Sequence, residues 1–419
     1  MATLLTTMLI VEATALYRPS SAGAGYVSGR WRLPTWEATY SMPKSTAVMP
    51  CNYSGYHDVA TDKEFGWVQY DWSDNKDVWV QGKPMDCEAV QTEQARRLHA
   101  VAPGAKVGLY QSGPKALPWF PEVRAKLDDP AFSAWFIKFA NTSKANVPVC
   151  TGSKCSVFYH DQTQVPQHPT KRGGETKPPS YDNGKCIDEC DCGTQPCGNY
   201  VWDFRNTSFQ EWYITELFLK RLNATPGAKA FYIDDRIYGG GNTAYVTEMS
   251  TYFPKDVALD PLELAALRVA FTATMERLYD ALVTHGAFAW QMMDDGPQQF
   301  SSSAQCAKEL RTQYCVAGGG LSATRATFKS HSPGDWANDT IAERYTAQFL
   351  LYRGPYAWLG YDWNGCSIAH YPYPSQWSED FGVPLDNCTE TTKGVFQRRW
   401  SRATVSWDCN SGEGKIDRS

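Results

Sequence analysis

The sequence predicts an α/β fold, a (β/α)8 TIM barrel with a cysteine-rich insertion and a small C-terminal β extension. Three observations predict it. Short apolar runs of strand length alternate with helical patterns, and the crossovers are long enough for parallel pairing. Three successive runs end in carboxylates: Tyr200-Val201-Trp202-Asp203, Phe231-Tyr232-Ile233-Asp234-Asp235 and Phe288-Ala289-Trp290-Gln291-Met292-Met293-Asp294-Asp295. Buried strands that deliver acids at their carboxyl ends are how a parallel barrel presents chemistry. The competing doubly wound sheet lacks its glycine fingerprint: Gly239-Gly240-Gly241 does not fit G-x-G-x-x-G, and no G-x-x-x-x-G-K-[ST] occurs.

The elements follow in order. Leu4 to Val11 is apolar and Ala13-Thr14-Ala15 resembles a signal-peptidase site, so residues 1–15 are expected to be a signal peptide. Residues 16–370 are expected to form the barrel. Its first strands are Thr46 to Asn52, Phe65 to Asp71 and Lys106 to Gln111, with a helix from Cys87 to Pro103 whose apolar stripe is Val90, Ala95, Leu98 and Val101. Residues 150–197 hold six cysteines and almost no periodicity. A loop of that length needs covalent ties, so it reads as a disulfide-stapled insertion. Zinc is the alternative there, but Cys186, Cys190, Cys192 and Cys197 do not form paired Cys-x-x-Cys spacings.

Strand four is expected at Tyr200 to Phe204. Ser208 and Glu211 then make a capping box for a helix through Leu222. Strand five is Phe231 to Asp235. Pro261 opens a helix with Leu264, Leu267, Phe271, Met275, Leu278 and Leu282 at steps of three and four, and Gly286 ends it. Strand six is Phe288 to Met293, strand seven Ala326 to Lys329, and strand eight Tyr356 to Asp362, after helices at Cys306 to Tyr314 and Thr340 to Tyr352. Residues 371–419 form the β extension, where Gly394 to Trp400 and Ala403 to Trp407 alternate like paired strands.

With 419 residues and 42% hydrophobics the chain can bury a large core. A net charge of -5 gives no reason to expect nucleic acid as a partner. No other stretch approaches the roughly 18 apolar residues a spanning helix needs. Six N-x-S/T sequons, at Asn52, Asn141, Asn206, Asn223, Asn338 and Asn387, accompany 13 cysteines. Together they point to the secretory pathway, where disulfides persist. Thirteen is odd, so at least one thiol is left over or pairs outside the chain. The 16 Trp and 23 Tyr fill core and loops, and some offer flat platforms for sugar rings.

Cleaving a glycosidic bond takes one carboxylic acid to protonate the leaving oxygen and a second carboxylate as nucleophile or base. Asp203, Asp234 and Asp235 supply candidates: Asp203 as nucleophile or base and Asp234 as general acid, with the roles exchangeable. Asp234 is preferred to its neighbour as the last ordered strand position. Structural alternatives stand beside them: Asp203 can simply pair with Arg205 or Arg236, and Asp235 can cap a loop. Candidate substrate-binding residues are Asp71, Gln111, Trp202, Arg205, Tyr232, Gln291, Asp294, Asp295 and Asp362. No cofactor and no metal is called for: seven histidines include no H-x-H and no H-E-x-x-H, and no G-x-S-x-G elbow occurs.

Trp202-Asp203-Phe204-Arg205-Asn206, followed by a Trp-bearing helix and Phe231-Tyr232-Ile233-Asp234-Asp235, resembles the glycoside-hydrolase-like (β/α)8 barrels and, distantly, the endo-galactosaminidase barrels. Arg353-Gly354-Pro355-Tyr356-Ala357-Trp358-Leu359-Gly360 and Val395-Phe396-Gln397-Arg398-Arg399-Trp400 resemble secreted eukaryotic relatives. The resemblance implies a secreted monomeric barrel acting on a polysaccharide, with Asp203 and Asp234 matching the strand-end acids. The insertion at 150–197 departs from the bacterial pattern. A sequon at Asn206 either stays unmodified beside the site or places the site elsewhere. The rival classes are a carbohydrate-binding barrel without catalysis and a surface glycoprotein.

Overall fold

A computed structural model of the chain describes residues 31–52, 54–74, 86–117, 119–137, 181–182, 185–186, 200–234, 261–297, 302–336, 338–366 and 370–419. The strands in chain order are β1 (Thr46–Val48), β2 (Trp67–Tyr70), β3 (Lys106–Ser112), β4 (Lys115–Ala116), β5 (Tyr181–Asp182), β6 (Lys185–Cys186), β7 (Tyr200–Val201) and β8 (Ala228–Asp234). They continue with β9 (Phe288–Ala289), β10 (Met293–Asp294), β11 (Ala326–Ser330), β12 (Ala357–Tyr361), β13 (Thr389–Thr392), β14 (Val395–Arg399), β15 (Ala403–Asp408) and β16 (Glu413–Arg418).

Eight strands form one nearly closed parallel sheet, in the order β10-β11-β12-β1-β2-β3-β8-β9. This is a barrel consistent with the (β/α)8 architecture. Its closure rests on a single segment. β9 pairs with β8 through Ala230 and Phe231, β10 pairs with β11 through Ala326 and Thr327, and only the 3-10 turn Trp290–Met292 lies between.

One expected barrel strand is placed elsewhere. The run at 200–204 contributes β7, which pairs antiparallel with β4 (Lys115 opposite Val201) in a separate two-stranded ribbon. β8 takes the position beside β3 instead. The run was apolar because Trp202 and Phe204 must be covered, and both are, by Phe136, Phe209, Tyr213 and Phe271. An apolar run records demand for burial, not the identity of the pairing partner.

Pleating sorts the barrel side chains. Trp67, Trp290 and Trp358 meet inside it with Trp36 at edge-to-face angles. On the same parity lie Gln69, Gly108, Tyr110, Tyr232, Phe328 and Gly360. The opposite parity faces the helices: Tyr70 reaches Asp62, and Phe231 packs on Phe218.

Helices stand close to where periodicity puts them. The helix Cys87–Val101 buries Val90, Ala95 and Leu98, while Val101 is exposed. The helix Pro261–Thr284 buries Leu267, Phe271, Met275, Leu278 and Leu282, and Gly286 follows at a φ of 71°. The helical segments Thr207–Trp212, Tyr213–Lys220 (π-helical) and Arg221–Ala224 run on without a break. Their cap differs from the expected Ser208–Glu211 box: Asn206 Oδ1 accepts from the Phe209 amide at 3.1 Å. No described helix is long and apolar enough to cross a membrane.

The C-terminal extension is a four-stranded antiparallel sheet, β13-β14-β15-β16. Ala403, Val405 and Trp407 of β15 are buried in strict alternation. Disulfides Cys306–Cys409 and Cys315–Cys388 join the sheet to the segments Ser303–Glu309 and Leu310–Tyr314, and Cys51–Cys366 joins the segments that follow β1 and β12. Cys87 retains its thiol, buried and directed at the Trp72 carbonyl oxygen. Most of the insertion at 150–197, with five of its cysteines, lies outside the described residues.

Candidate active site

The carboxyl ends of the barrel strands gather several of the singled-out acids. β8 faces inward at Tyr232 and Asp234. The Tyr232 ring lies 6.1 Å from Tyr110 and 6.2 Å from Trp290, and the Tyr110 hydroxyl donates to Asp234 Oδ2 at 3.1 Å. Asp362 follows β12 on the inward parity of Trp358 and Gly360. Its carboxylate accepts hydrogen bonds from Ser330, at the end of β11, and from Asn364. Asp362 is exposed by surface area, and partial desolvation by its neighbours nonetheless shifts its carboxyl upward against the pull of those two bonds. Between β8 and β12 lie β3, β2 and β1 on one side and the β9–β10 segment and β11 on the other, so Asp234 and Asp362 end strands on opposite sides of the ring.

Asp71 follows β2 on the inward parity of Trp67 and Gln69. It is buried, accepts from the Ser73 amide at 2.8 Å, and lies beside the Cys51 sulfur. Among the described residues, Cys51, Asp71 and Cys366 are the one grouping of candidate metal-ligating atoms, but its two sulfurs are joined to each other. The grouping therefore offers a metal a single carboxylate. Below it, the Gln69 amide is fully buried, has no hydrogen-bond partner among the described residues, and fills the space left by Gly108, whose Cβ would fall 1.9 Å from the Gln69 Oε1.

The other candidates sit away from the mouth. Asp203 ends the β4–β7 ribbon rather than a barrel strand. Arg205 grips it in a bidentate pair (Nε to Oδ1 2.8 Å, Nη2 to Oδ2 2.7 Å) and also reaches Glu263 at 3.3 Å. The Asp203 side chain is 15% exposed. Trp202 is fully buried in an aromatic stack, so its faces are taken. Gln111 has the outward parity of β3 and accepts from the buried Arg221 guanidinium at 2.7 Å. Gln291 Oε1 accepts the Ile233 amide at 2.9 Å, replacing the ladder bond lost where β9 gives way to its turn. Asp294 is held by Arg325 (2.9 Å) and the Tyr314 hydroxyl (2.8 Å). Asp295 is half-buried and helps keep charge on Lys329, an amine that burial lowers to about 8. Asp235 lies outside the described residues.

Sequence reading missed Tyr110 and Ser330, the hydroxyls that hold the two opposed acids. Alternation along Lys106–Ser112 puts Tyr110 on one face with Gly108 and Gln111 on the other, but the run itself does not say which face turns inward.

No family model and no curated protein matches the chain. Among solved structures it is similar to sucrose 6F-phosphate phosphorylase from Thermoanaerobacter thermosaccharolyticum, at 10% identity and a TM-score of 0.38, covering 90% of this chain and 96% of that one. It is similar to the GH36 alpha-galactosidase AgaB from Geobacillus stearothermophilus at 10% identity and a TM-score of 0.40, covering 87% of this chain and 47% of that one. The chain thus spans about half the length of that enzyme. It is also similar to the cyclic alpha-maltosyl-(1-->6)-maltose hydrolase from Arthrobacter globiformis, at 10% identity and a TM-score of 0.33, covering 87% of this chain and 91% of that one. At these values no residue and no activity is carried from them to this chain.

Proposed function

We propose that the chain is a glycoside hydrolase of the secretory pathway that cleaves a poly- or oligosaccharide between Asp234 and Asp362. The observation that carries this reading is the pair of inward carboxyls on opposite walls of the barrel mouth, each held by a hydroxyl. Their environments differ, which two-carboxylate hydrolysis requires. Asp362, open to solvent, hydrogen-bonded by Ser330 and Asn364 and shifted upward, takes the role of the acid that delivers a proton to the glycosidic oxygen. Asp234, aimed by Tyr110, is the nucleophile or the base for water. Tyr110, Tyr232 and Trp290 provide apolar wall between them. Asp203 drops from the catalytic pair to a positioning group for its ribbon, because a carboxylate clamped by Arg205 on both oxygens is poorly placed to act as nucleophile or acid. Three disulfides among the described residues support an oxidising compartment.

The test is release of reducing ends from a panel of polysaccharides. Asp234→Asn and Asp362→Asn should each lower the rate at least ~100-fold with unchanged thermal melting, as loss of an acid or base does. Asp203→Asn should leave the rate within a few fold. Wild-type rates in both mouth variants would sink the assignment. A non-catalytic carbohydrate-binding barrel is the second reading, favoured by the neutralisation of Asp203 and Asp294 by arginines. It predicts retention of glycan by the protein with no reducing ends released.

A further inference from the structure

The short loop after β12 carries Asp362 and Trp363 and is fixed at both ends. The Asn364 Nδ2 turns back to donate to the Asp362 carbonyl oxygen at 2.8 Å and to its carboxylate at 3.2 Å. Gly365 takes a φ of 92°, which a side chain would resist, and Cys366 is bonded to Cys51 at the end of the neighbouring strand's segment. Between these clamps Trp363 is 48% exposed. The other tryptophans whose side chains are described each lie against a ring or a cation, from Trp36, Trp67, Trp290 and Trp358 inside the barrel to Trp31 beneath Arg325 and Trp407 beside Arg344. Trp363 has no such partner among the described residues. It therefore presents a broad apolar face to solvent in the tied loop that carries Asp362.

An aromatic face of this kind is complementary to the C–H face of a pyranose ring, which is apolar and slightly positive at its hydrogens. We propose that Trp363 is a stacking platform for the sugar unit on the leaving-group side of the scissile bond. This deepens, and rests on, the assignment of Asp362 as the group that protonates the leaving oxygen. It identifies the substrate as a glycan chain with a sugar on both sides of the cleaved bond. The platform contributes binding that is equal in ground and transition states, so it acts on KM and not on kcat.

Purified full-length protein, Trp363→Ala and Trp363→Phe are compared on hydroxyethylcellulose, xylan, galactomannan and dextran. Released reducing ends and retardation in native gels cast with the same polymers are measured. On the polymer that wild type cleaves, Trp363→Ala should raise KM about 10-fold, the change produced by losing ~1.4 kcal/mol. Its kcat should stay within about twofold and its gel retardation should be lost, while Trp363→Phe keeps most of both. If Trp363→Ala cleaves and migrates as wild type does, the platform is overturned and the two-carboxylate reading stands. If wild type neither cleaves nor is retarded by any of the four polymers, that reading is overturned and the platform with it.

Discussion

Asp74 has no exposed surface, and only one of its carboxylate oxygens is satisfied, by the Asn52 amide at 2.7 Å. Oδ2 has no hydrogen-bond partner among the described residues. Burial pushes this carboxyl well above its ordinary value, and the neighbouring Asp71 and Asp62 push the same way. Glu88 is raised from 4.5 to about 7, mainly by desolvation and in spite of the nearby Arg221. An acid whose pKa is higher folded than unfolded binds more protons in the folded state. Its contribution is complete below the unfolded value and lost as pH rises through the folded one. Glu88, titrating in the window from 4.5 to about 7, and Asp74 should therefore favour the fold at pH 5 over pH 8, opposed by the buried His331, which desolvation lowers from 6.5 to about 3 and which favours the higher pH. Asp74→Asn, which resembles the protonated acid, should flatten that dependence and raise the urea midpoint at pH 8. An Asp74→Asn midpoint at pH 8 no higher than that of the wild-type protein would contradict this account. At the residue scale, the sequence marks Asp234 as a catalytic candidate and Asp362 as a substrate-binding one by strand-end position, and both stand at the carboxyl ends of barrel strands, β8 and β12. What hid Tyr110 was phase: a run of seven residues without polar alternation does not declare which parity faces the barrel axis. The contacts of Gly108 with the Gln69 side chain and of Tyr110 with Tyr232 declare it.

At the scale of elements, the closest backbone approach in the barrel is a glycine. A Cβ on Gly360 would stand 1.7 Å from the Ala47 carbonyl oxygen, an atom of the paired strand β1 that cannot swing away. Gly108→Ala would collide only with the end of the Gln69 side chain, which can turn. Gly360→Ala should thus cost about 3 kcal/mol or more and Gly108→Ala distinctly less, as overpacking of rigid and yielding sites does. Urea melts of the two variants check the order, and equal losses would contradict it. Elements with their own periodicity were readable, the helices Cys87–Val101 and Pro261–Thr284 above all. The strand at 200–204 was misplaced because Trp202 and Phe204 demanded cover that a helix and a ribbon supply as well as a barrel does. Two sequons had a second physical meaning. Asn206 and Asn338 each accept an amide three residues on, as helix N-caps, so N-x-S/T recurs there for a reason independent of glycosylation.

Across the whole molecule, the C-terminal sheet packs on the helix Asp339–Tyr352, and its covalent ties reach back to the segments that precede β11. Cys306–Cys409 and Cys315–Cys388 span 103 and 73 residues, so each removes the entropy of a long loop from the unfolded chain. Loops of that length correspond to ~4 kcal/mol apiece in the chain-entropy picture, although typical measured values are nearer 2–4 kcal/mol. The pairs enclose one another, with Cys315–Cys388 lying inside the loop closed by Cys306–Cys409. The second closure is then shorter than it would be alone, and the two contributions should add to less than their separate sum. Replacing Cys306 and Cys409 by Ser should lower the thermal midpoint by several degrees, replacing Cys315 and Cys388 should do the same, and the quadruple replacement should lower it by more than the two losses added, because each single removal is made with the other closure still in place. Calorimetry on the three variants measures this directly. Strictly additive losses would mean that the sheet is held by its packing on the helix and that the disulfides act locally, which would also uncouple its stability from the barrel mouth.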